Sequence, residues 1–282
     1  MSVQIRPLTP GDYPAVVALQ NTYSHVPATV ESKARFIATF PAAYPAVHLV
    51  AETEGRVAGY AQAYKASWIT ADRARVHVVV APALRGRGIG GALLAALQPF
   101  VQAHTPARLA TEVRDDDAQS LSWAERRGFV KEHHFFDSVL PLAEFDPTPF
   151  GDHVAQVEKR GFCFVPFATI QSHATEQELY RFHHQLMADM PNGSDVAKAT
   201  FPDWRDWLLG GTGAWPQGCL IATDADGRWA GMTAVKLEEG HAHVAFTGVA
   251  RAFRDHGLAL ALKLKGIELL RQAGAAEVHT VN

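Results

Sequence analysis

A chain of 282 residues, 48% hydrophobic and 20% charged, is long enough for two globular cores. Its formal net charge of −3 gives no global attraction to nucleic acid or to an anionic membrane, and its two cysteines, Cys163 and Cys219, cannot build a disulfide framework or a zinc site by themselves. The N-terminal stretch MSVQIRPLTP has no apolar leader core, no run of about 18 apolar residues predicts a membrane span, and free thiols fit a reducing cytoplasm, the expected location.

In chain order, residues 3–7 read as a strand, 11–24 as a helix and 31–40 as a second helix. Residues 47–52 and 57–64 form a predicted hairpin around Glu54-Gly55-Arg56, and 75–80 a buried strand. A loop of two arginines and four glycines then opens a helix that runs to about residue 103. A strand over 108–114 follows, then a helix over 118–127 stopped by Gly128, then extended chain over 131–142. The acidic, proline-bearing segment AEFDPTPFGD, 143–152, is the best linker, so the expected domains are 1–145 and 146–282. Beyond it come helices over 175–188 and 204–209, a hairpin of 219–223 and 229–237, a strand at 243–249, a helix at 258–273 and a strand at 277–281.

The second half repeats the first. Arg85 and Arg254 are 169 positions apart (254 − 85 = 169), as are Gly88 and Gly257, and Thr111 and Thr280. A match that keeps loop, flanking strand and flanking helix together indicates two copies of one α/β unit.

The loop Arg85-Gly86-Arg87-Gly88-Ile89-Gly90-Gly91 carries the main chemical signal. A helix start leaves backbone N–H groups without partners, and Ser, Thr, Asp or Asn normally caps them. None lies between Leu84 and Gly91. Bare glycine backbone, the helix dipole and two guanidiniums therefore invite an anion, phosphate being the usual one. The GxxxxGK[ST] phosphate loop is absent. A dinucleotide-binding GxGxxG is literally present as Gly86, Gly88 and Gly91, but it does not follow its strand directly and several strands precede it. Glu112 could mimic the ribose-binding acid that such a site needs, yet the second copy has Val281 there. The pattern common to both copies is [QR]-x-x-G-x-[GA].

With V-x-P-x-L-R-G-R-G-I-G at residues 80–90, IRPLTPGDY at 5–13, ERRGF at 125–129 and TGVARAFRDHGLALALK at 247–263, the sequence resembles the GNAT (GCN5-related) N-acetyltransferases, and tandem-GNAT proteins in particular. The resemblance implies an α/β fold of two tandem units. Each has a mostly antiparallel central sheet, with splayed fourth and fifth strands, flanked by helices. It also implies acetyl-CoA as cofactor. The backbone of Arg85, Gly86, Arg87, Gly88, Ile89, Gly90 and Gly91 would hold the coenzyme A pyrophosphate, and the pantetheine arm would lie along Val78, Val79 and Val80. An N–H near Val78 or Val79 would face the oxyanion.

The family pattern often supplies a tyrosine to protonate the leaving thiolate, four residues before the glycine of the GF pair. Here that position is Ala124, and the adjacent Trp123 cannot donate usefully to a thiolate. Asp117 stands where Asn is usual. It is read as an N-cap and also as a cofactor-side residue, with Ser120 one turn on as a thiol-side donor. His77 and Glu112 are the candidate bases, each set against a structural role: a satisfied strand histidine, and a carboxylate paired with Arg114. The pairs His133-His134 and His183-His184, and the alternating His241 and His243, do not converge as metal ligands, so no metal is expected.

In the second copy the corresponding cofactor candidates are Val249, Arg254, Gly257 and Ala259. Asp255 replaces the first loop glycine, where its carboxylate can cap its own helix and repel phosphate, partly offset by Arg254 and His256. The second copy also stops at the equivalent of Val113, which leaves it without its C-terminal strands. Either the chain is shortened, or another segment or subunit covers the edge. The first copy is therefore expected to be the better coenzyme site. The acceptor pocket is expected from residues 23–29 and Trp68, with Tyr23 and His25 favouring a small amine. Expected partners are that small molecule and, as a quaternary option, a second copy in a homodimer, with no nucleic acid and no membrane. The leading expectation is acetyl transfer from acetyl-CoA to a primary amine. The alternative is a catalytically weak acetyl-CoA binder serving sensing or assembly.

Overall fold

One carboxylate organises the opening motif. Asp12 accepts two hydrogen bonds from Arg6, at 2.7 and 2.8 Å, and two from Thr9, and Arg6 also reaches Glu52. The motif thereby joins strand β1 (Gln4–Pro7) to helix α1 (Tyr13–Gln20) and to β2 (Ala46–Thr53). The computed structural model describes residues 2–24, 28–190, 199–211, 213–238 and 240–281. These form two compact units, Met1–Val130 and Lys131–Asn282.

The first unit continues with α2 (Val30–Thr39), β3 (Arg56–Tyr64), β4 (Arg73–Val80), α3 (Ile89–Ala96), α4 (Gln98–His104), β5 (Arg108–Ala110) and α5 (Ala118–Glu125). Thr29 and Ser32 cap α2 reciprocally, each side chain accepting from the other's backbone N–H. The sheet order is β1-β2-β3-β4-β5, antiparallel except for the parallel pair β4/β5. Side chains alternate across it. Val50, Tyr60 and Val79 pack under α1, while Ala61, Ala63 and Val76 pack with Ile89, Leu93 and Leu97 of the α3 side. A Cβ at Gly59 would lie 2.9 Å from Leu93 Cδ1, so the bare strand position lets α3 approach the sheet. Leu93 is fully buried there. Its truncation to Ala would cost about 2–5 kcal/mol.

The second unit contains β6 (Asp137–Pro141), α6 (His153–Lys159), β7 (Cys163–Pro166), α7 (His173–Met187), α8 (Phe201–Arg205), β8 (Cys219–Thr223), β9 (Trp229–Glu238), β10 (His241–Val249), α9 (Leu258–Gln272) and β11 (Glu277–Val281). Its sheet order is β6-β11-β10-β9-β8-β7. A Cβ at Gly231 would lie 3.3 Å from Leu262 Cδ1, as one at Gly59 would crowd Leu93, and Gly88 and Gly257 head α3 and α9 with φ of 83° and 79°. The repeat seen in the sequence is thus a repeat of the backbone.

Four expectations change. The strand expected over 108–114 pairs with β4 only at Arg108–Ala110, because the chain then turns away from β4. The helix expected to run to residue 103 is interrupted at Leu97, where Pro99 removes an N–H and crowds the preceding turn. The division between units falls before 145/146, since Asp137–Pro141 pairs antiparallel with β11. That same strand covers the β11 edge, so it is another segment of this chain that closes the second sheet. Asp255 does not cap α9: Gly257 is the N-cap, no side chain bonds there, and Asp255 takes the left-handed conformation, φ 66°, that Gly86 has in the first loop.

Candidate active site

Because β4 and β5 pair only from Arg73 to Arg75, the strands separate beyond that point. Alternate amides of β4 past Val76 lose their neighbour on this side and face a cleft. A cavity of about 360 Å³ fills it. Its wall takes in Val78, Val79 and Val80 of β4, the loop residues Arg85, Gly86, Gly88, Ile89, Gly90 and Gly91, and Asp117 and Ser120 of the α5 start. His77, Glu112 and Tyr23 also line it. Of the expected loop residues only Arg87 is outside the lining.

The loop fits a diphosphate. Gly86 and Gly88 have φ of 77° and 83°, conformations that side chains resist, and no side chain caps α3. A Cβ at Gly90 would lie 3.3 Å from the Trp123 ring, and one at Gly91 3.3 Å from Arg127, so the glycines also let α5 approach. Arg127 stacks on Trp123 at 3.9 Å, and with Arg126 it adds positive charge to the wall. These two arginines stand inside the ERRGF motif, whose charge went unread in the sequence.

Asp117 is the N-cap of α5, accepting from the Ser120 N–H at 3.0 Å and its hydroxyl at 2.7 Å. It also accepts from Arg85 at 3.0 Å. The Ser120 proton is therefore committed to Asp117. Glu112 pairs with Arg75, not with Arg114, which instead bonds Asp116. The reason is the parallel register: Arg75 is opposite Ala110, so Glu112, two residues on, shares its face. His77 is on that same face of β4. Burial first, then the Arg75 and Lys33 charges, lower its pKa to about 4, only partly opposed by Glu112. Its ring is thus neutral at pH 7. Tyr23 is pushed up by burial, so it stays protonated.

Trp68 sits apart, packed edge-on to Phe40 and Tyr44 and 41% exposed, and it does not line this cavity. His25 lies outside the described residues.

The second loop is occupied by the chain's own groups. His153 Nε2 bonds the Gly257 carbonyl at 2.9 Å, and a Cβ at Gly257 would lie 2.7 Å from the His153 ring. Arg254 and Arg251 both pair with Asp189. His256 bonds back to the Arg254 carbonyl, Val249 packs against the core beneath α9, and Ala259 is exposed. Phe246, the counterpart of His77 at the repeat offset, is buried against His183 with ring centroids 4.5 Å apart. No group of three or more potential metal ligands occurs among the described residues, and no helix among them is long and apolar enough to cross a membrane.

Comparison with known proteins agrees with this geometry. Residues 14–129 and 179–282 match the family model described as "Acetyltransferase (GNAT) family". The chain is 30% identical over 250 residues to a mycothiol acetyltransferase of Clavibacter michiganensis subsp. michiganensis, covering 83% of this chain and 70% of the relative. A GCN5-related N-acetyltransferase from Sphaerobacter thermophilus superposes with a TM-score of 0.76 at 20% identity, over 99% of this chain and 86% of that one. A tandem GNAT protein from the clavulanic acid biosynthesis pathway gives 0.73 at 21% identity, over 100% and 90%. With a capless glycine helix opening on parted strands, and both copies matched by the same model, the chain belongs to the GNAT acetyltransferase family as a tandem member.

Proposed function

We propose that the first unit transfers acetyl from acetyl-CoA to a primary amine of a small molecule. The observation that carries this reading is the single cavity joining the glycine loop, the β4/β5 cleft and His77. The relatives named mycothiol acetyltransferases support a small-molecule acceptor. Acetyl-CoA supplies a thioester, so the transfer exchanges a C–S bond for a C–N bond, the amine losing one proton and the thiolate gaining one.

The amides of residues 86–91 hold the diphosphate, helped by Arg85 and the head of α3. Unpaired β4 amides near Val78 and Val79 donate to the acetyl oxygen as charge develops there. Glu112, paired with Arg75, draws the acceptor's ammonium group into the cleft, where it gives one proton to solvent before attack. His77, neutral through burial, presents a lone pair to the amine N–H and takes its proton as the C–N bond forms. Ser120 reaches a leaving sulfur only by releasing Asp117.

A second reading has a specific observation behind it. Ala124 stands where a phenol would serve the thiolate, and Ser120 is engaged elsewhere, which favours a weak catalyst that binds acetyl-CoA for sensing or assembly.

Calorimetric titration with acetyl-CoA and thiol release with a panel of amines test both readings. Gly88→Asp should abolish binding. Gly257→Asp should leave it, though at a cost in thermal stability because His153 crowds that site. The reverse pattern would assign the cofactor to the second unit, and binding without turnover on any amine would favour the second reading.

A further inference from the structure

A buried polar cluster lies beneath the cleft, outside the residues that line it. The Tyr60 hydroxyl receives Lys33 Nζ at 3.0 Å and His48 Nδ1 at 2.7 Å, and gives its hydrogen to Gln62 Oε1 at 2.7 Å. Since that hydrogen is spent on Gln62, both other contacts must be donations to the phenol oxygen, which makes His48 the Nδ1–H tautomer. The Gln62 oxygen is likewise fixed, which turns its amide NH2 away from Tyr60. Directly across the ladder from Gln62 is His77, at the ~5 Å Cβ spacing of opposed strand residues. Tyr60, Gln62 and Lys33 are only 1%, 7% and 5% exposed, and among the described residues no carboxylate pairs with Lys33.

The second unit serves as an internal control. The row His48–Gln62–His77 across β2, β3 and β4 corresponds to Cys219–Ala234–Phe246 across β8, β9 and β10. The row Val50–Tyr60–Val79 corresponds to Ile221–Met232–Gly248. The same sheet therefore forms with these positions wholly apolar, and Met232 and Ala234 are as buried as their counterparts. Burying a phenol, an amide, an imidazole and a lysine is unfavourable unless every group is satisfied, so the fold alone does not call for them.

We propose that the Tyr60 hydroxyl, gathered by Lys33 and His48 and donating to Gln62, is a positioning centre that holds Gln62 opposite the His77 ring and so sets the ring's orientation toward the acceptor. The role in catalysis rests on the reading of His77 given above; the coupling of Tyr60 to the His77 ring does not. The charges that act on His77 are Arg75 on its own strand, Glu112 after β5 and Lys33 on α2; Tyr23 lines the same cavity, and Tyr60 and Tyr64 of β3 stand diagonal to His77 across the ladder. The Lys33 charge depresses both His48 and His77, in keeping with one electrostatic unit.

The test is 15N imidazole NMR of the full chain, with thiol release on the most active amine of the panel. Tyr60→Phe and Gln62→Ala should each shift the His77 ring nitrogen signals, and the double variant should shift them no further than either alone. Lys33→Met should raise the His77 titration midpoint, since one neighbouring positive charge is removed. Turnover should fall about tenfold in Tyr60→Phe, with acetyl-CoA affinity within twofold of the parent. The set His48→Cys, Tyr60→Met, Gln62→Ala, copied from the second unit, should fold and bind acetyl-CoA but lose turnover, which guards against a Tyr60 variant that does not fold. Unchanged His77 signals and midpoint in folded variants would overturn the proposal. Full turnover in His77→Gln would instead remove the proton-transfer role of His77 and leave the coupling to be judged by the spectra.

Discussion

The Arg85 guanidinium lies 3.0 Å from the Asp117 carboxylate, so a cation of the glycine loop is already engaged by the acid that caps α5. Burial pushes the Asp117 carboxyl up, but the Ser120 hydrogen bonds and the Arg85 charge outweigh it and hold the group below the usual carboxylate range. Asp117 is thus an anion beside the loop proposed to hold the diphosphate. Asp117→Asn keeps a good helix cap and removes the charge. We expect acetyl-CoA to bind about two- to fivefold more tightly in this variant, the size of one partly exposed ion pair. Titration calorimetry at low and at high salt checks this, and the gain should shrink as salt rises.

Three histidines, His183 buried and His48 and His77 half-buried, set a pH dependence. Burial first, and then a neighbouring positive charge, lowers His48 and His77 to about 4, and burial with the His184 charge lowers His183 to about 3. Each is neutral in the folded chain and becomes protonated in the unfolded chain below about pH 6.5. Their contribution is therefore complete above that pH and is lost as pH falls toward 4. Each such group removes on the order of 1–3 kcal/mol across that window. Urea unfolding at pH 7.5 and pH 5 should show the drop, and His183→Phe should flatten it. Both His183 nitrogens lack a hydrogen-bond partner among the described residues, so that substitution should also raise stability at neutral pH, by about 1 kcal/mol.

The two thiols should separate cleanly. Cys163 is exposed, whereas Cys219 is buried and burial pushes its pKa up to about 12. A thiol reagent at pH 8 should modify Cys163 in minutes and reach Cys219 only after denaturation. Mass spectrometry of the native and unfolded chain gives the answer directly. Equal rates at both positions would mean that the β8 strand opens readily.

What the sequence carried well was local. The capless glycine loop, its flanking strand and helix, and the repeat at 169 positions are written in consecutive residues, and the backbone angles at Gly88 and Gly257 repeat them. The partner of Glu112 was harder. Arg75 and Arg114 are both available by alternation, and only the parallel register of β4 with β5 decides between them. Nothing in the sequence marks Gln62, Tyr60 and Lys33, because a buried polar cluster has no period of its own. Its members come from α2, β2 and β3, and a hydroxyl on a strand reads as ordinary until its neighbours are known. The turn from Asp117 to Ser120 was legible as a cap, but not its contact with Arg85, 32 residues away in sequence.

The strand Asp137–Pro141 has a consequence for any attempt to split the protein in two. It supplies the outer rung beside Glu277–Val281, although it comes before the segment that looks like a linker. A fragment beginning at residue 146 would be born with a raw margin along its last strand and with Leu140 and Leu142 missing from the apolar layer around Val278. The natural seam for fission is upstream, near residue 130. A gene cut there would give the trailing product every strand of its own sheet.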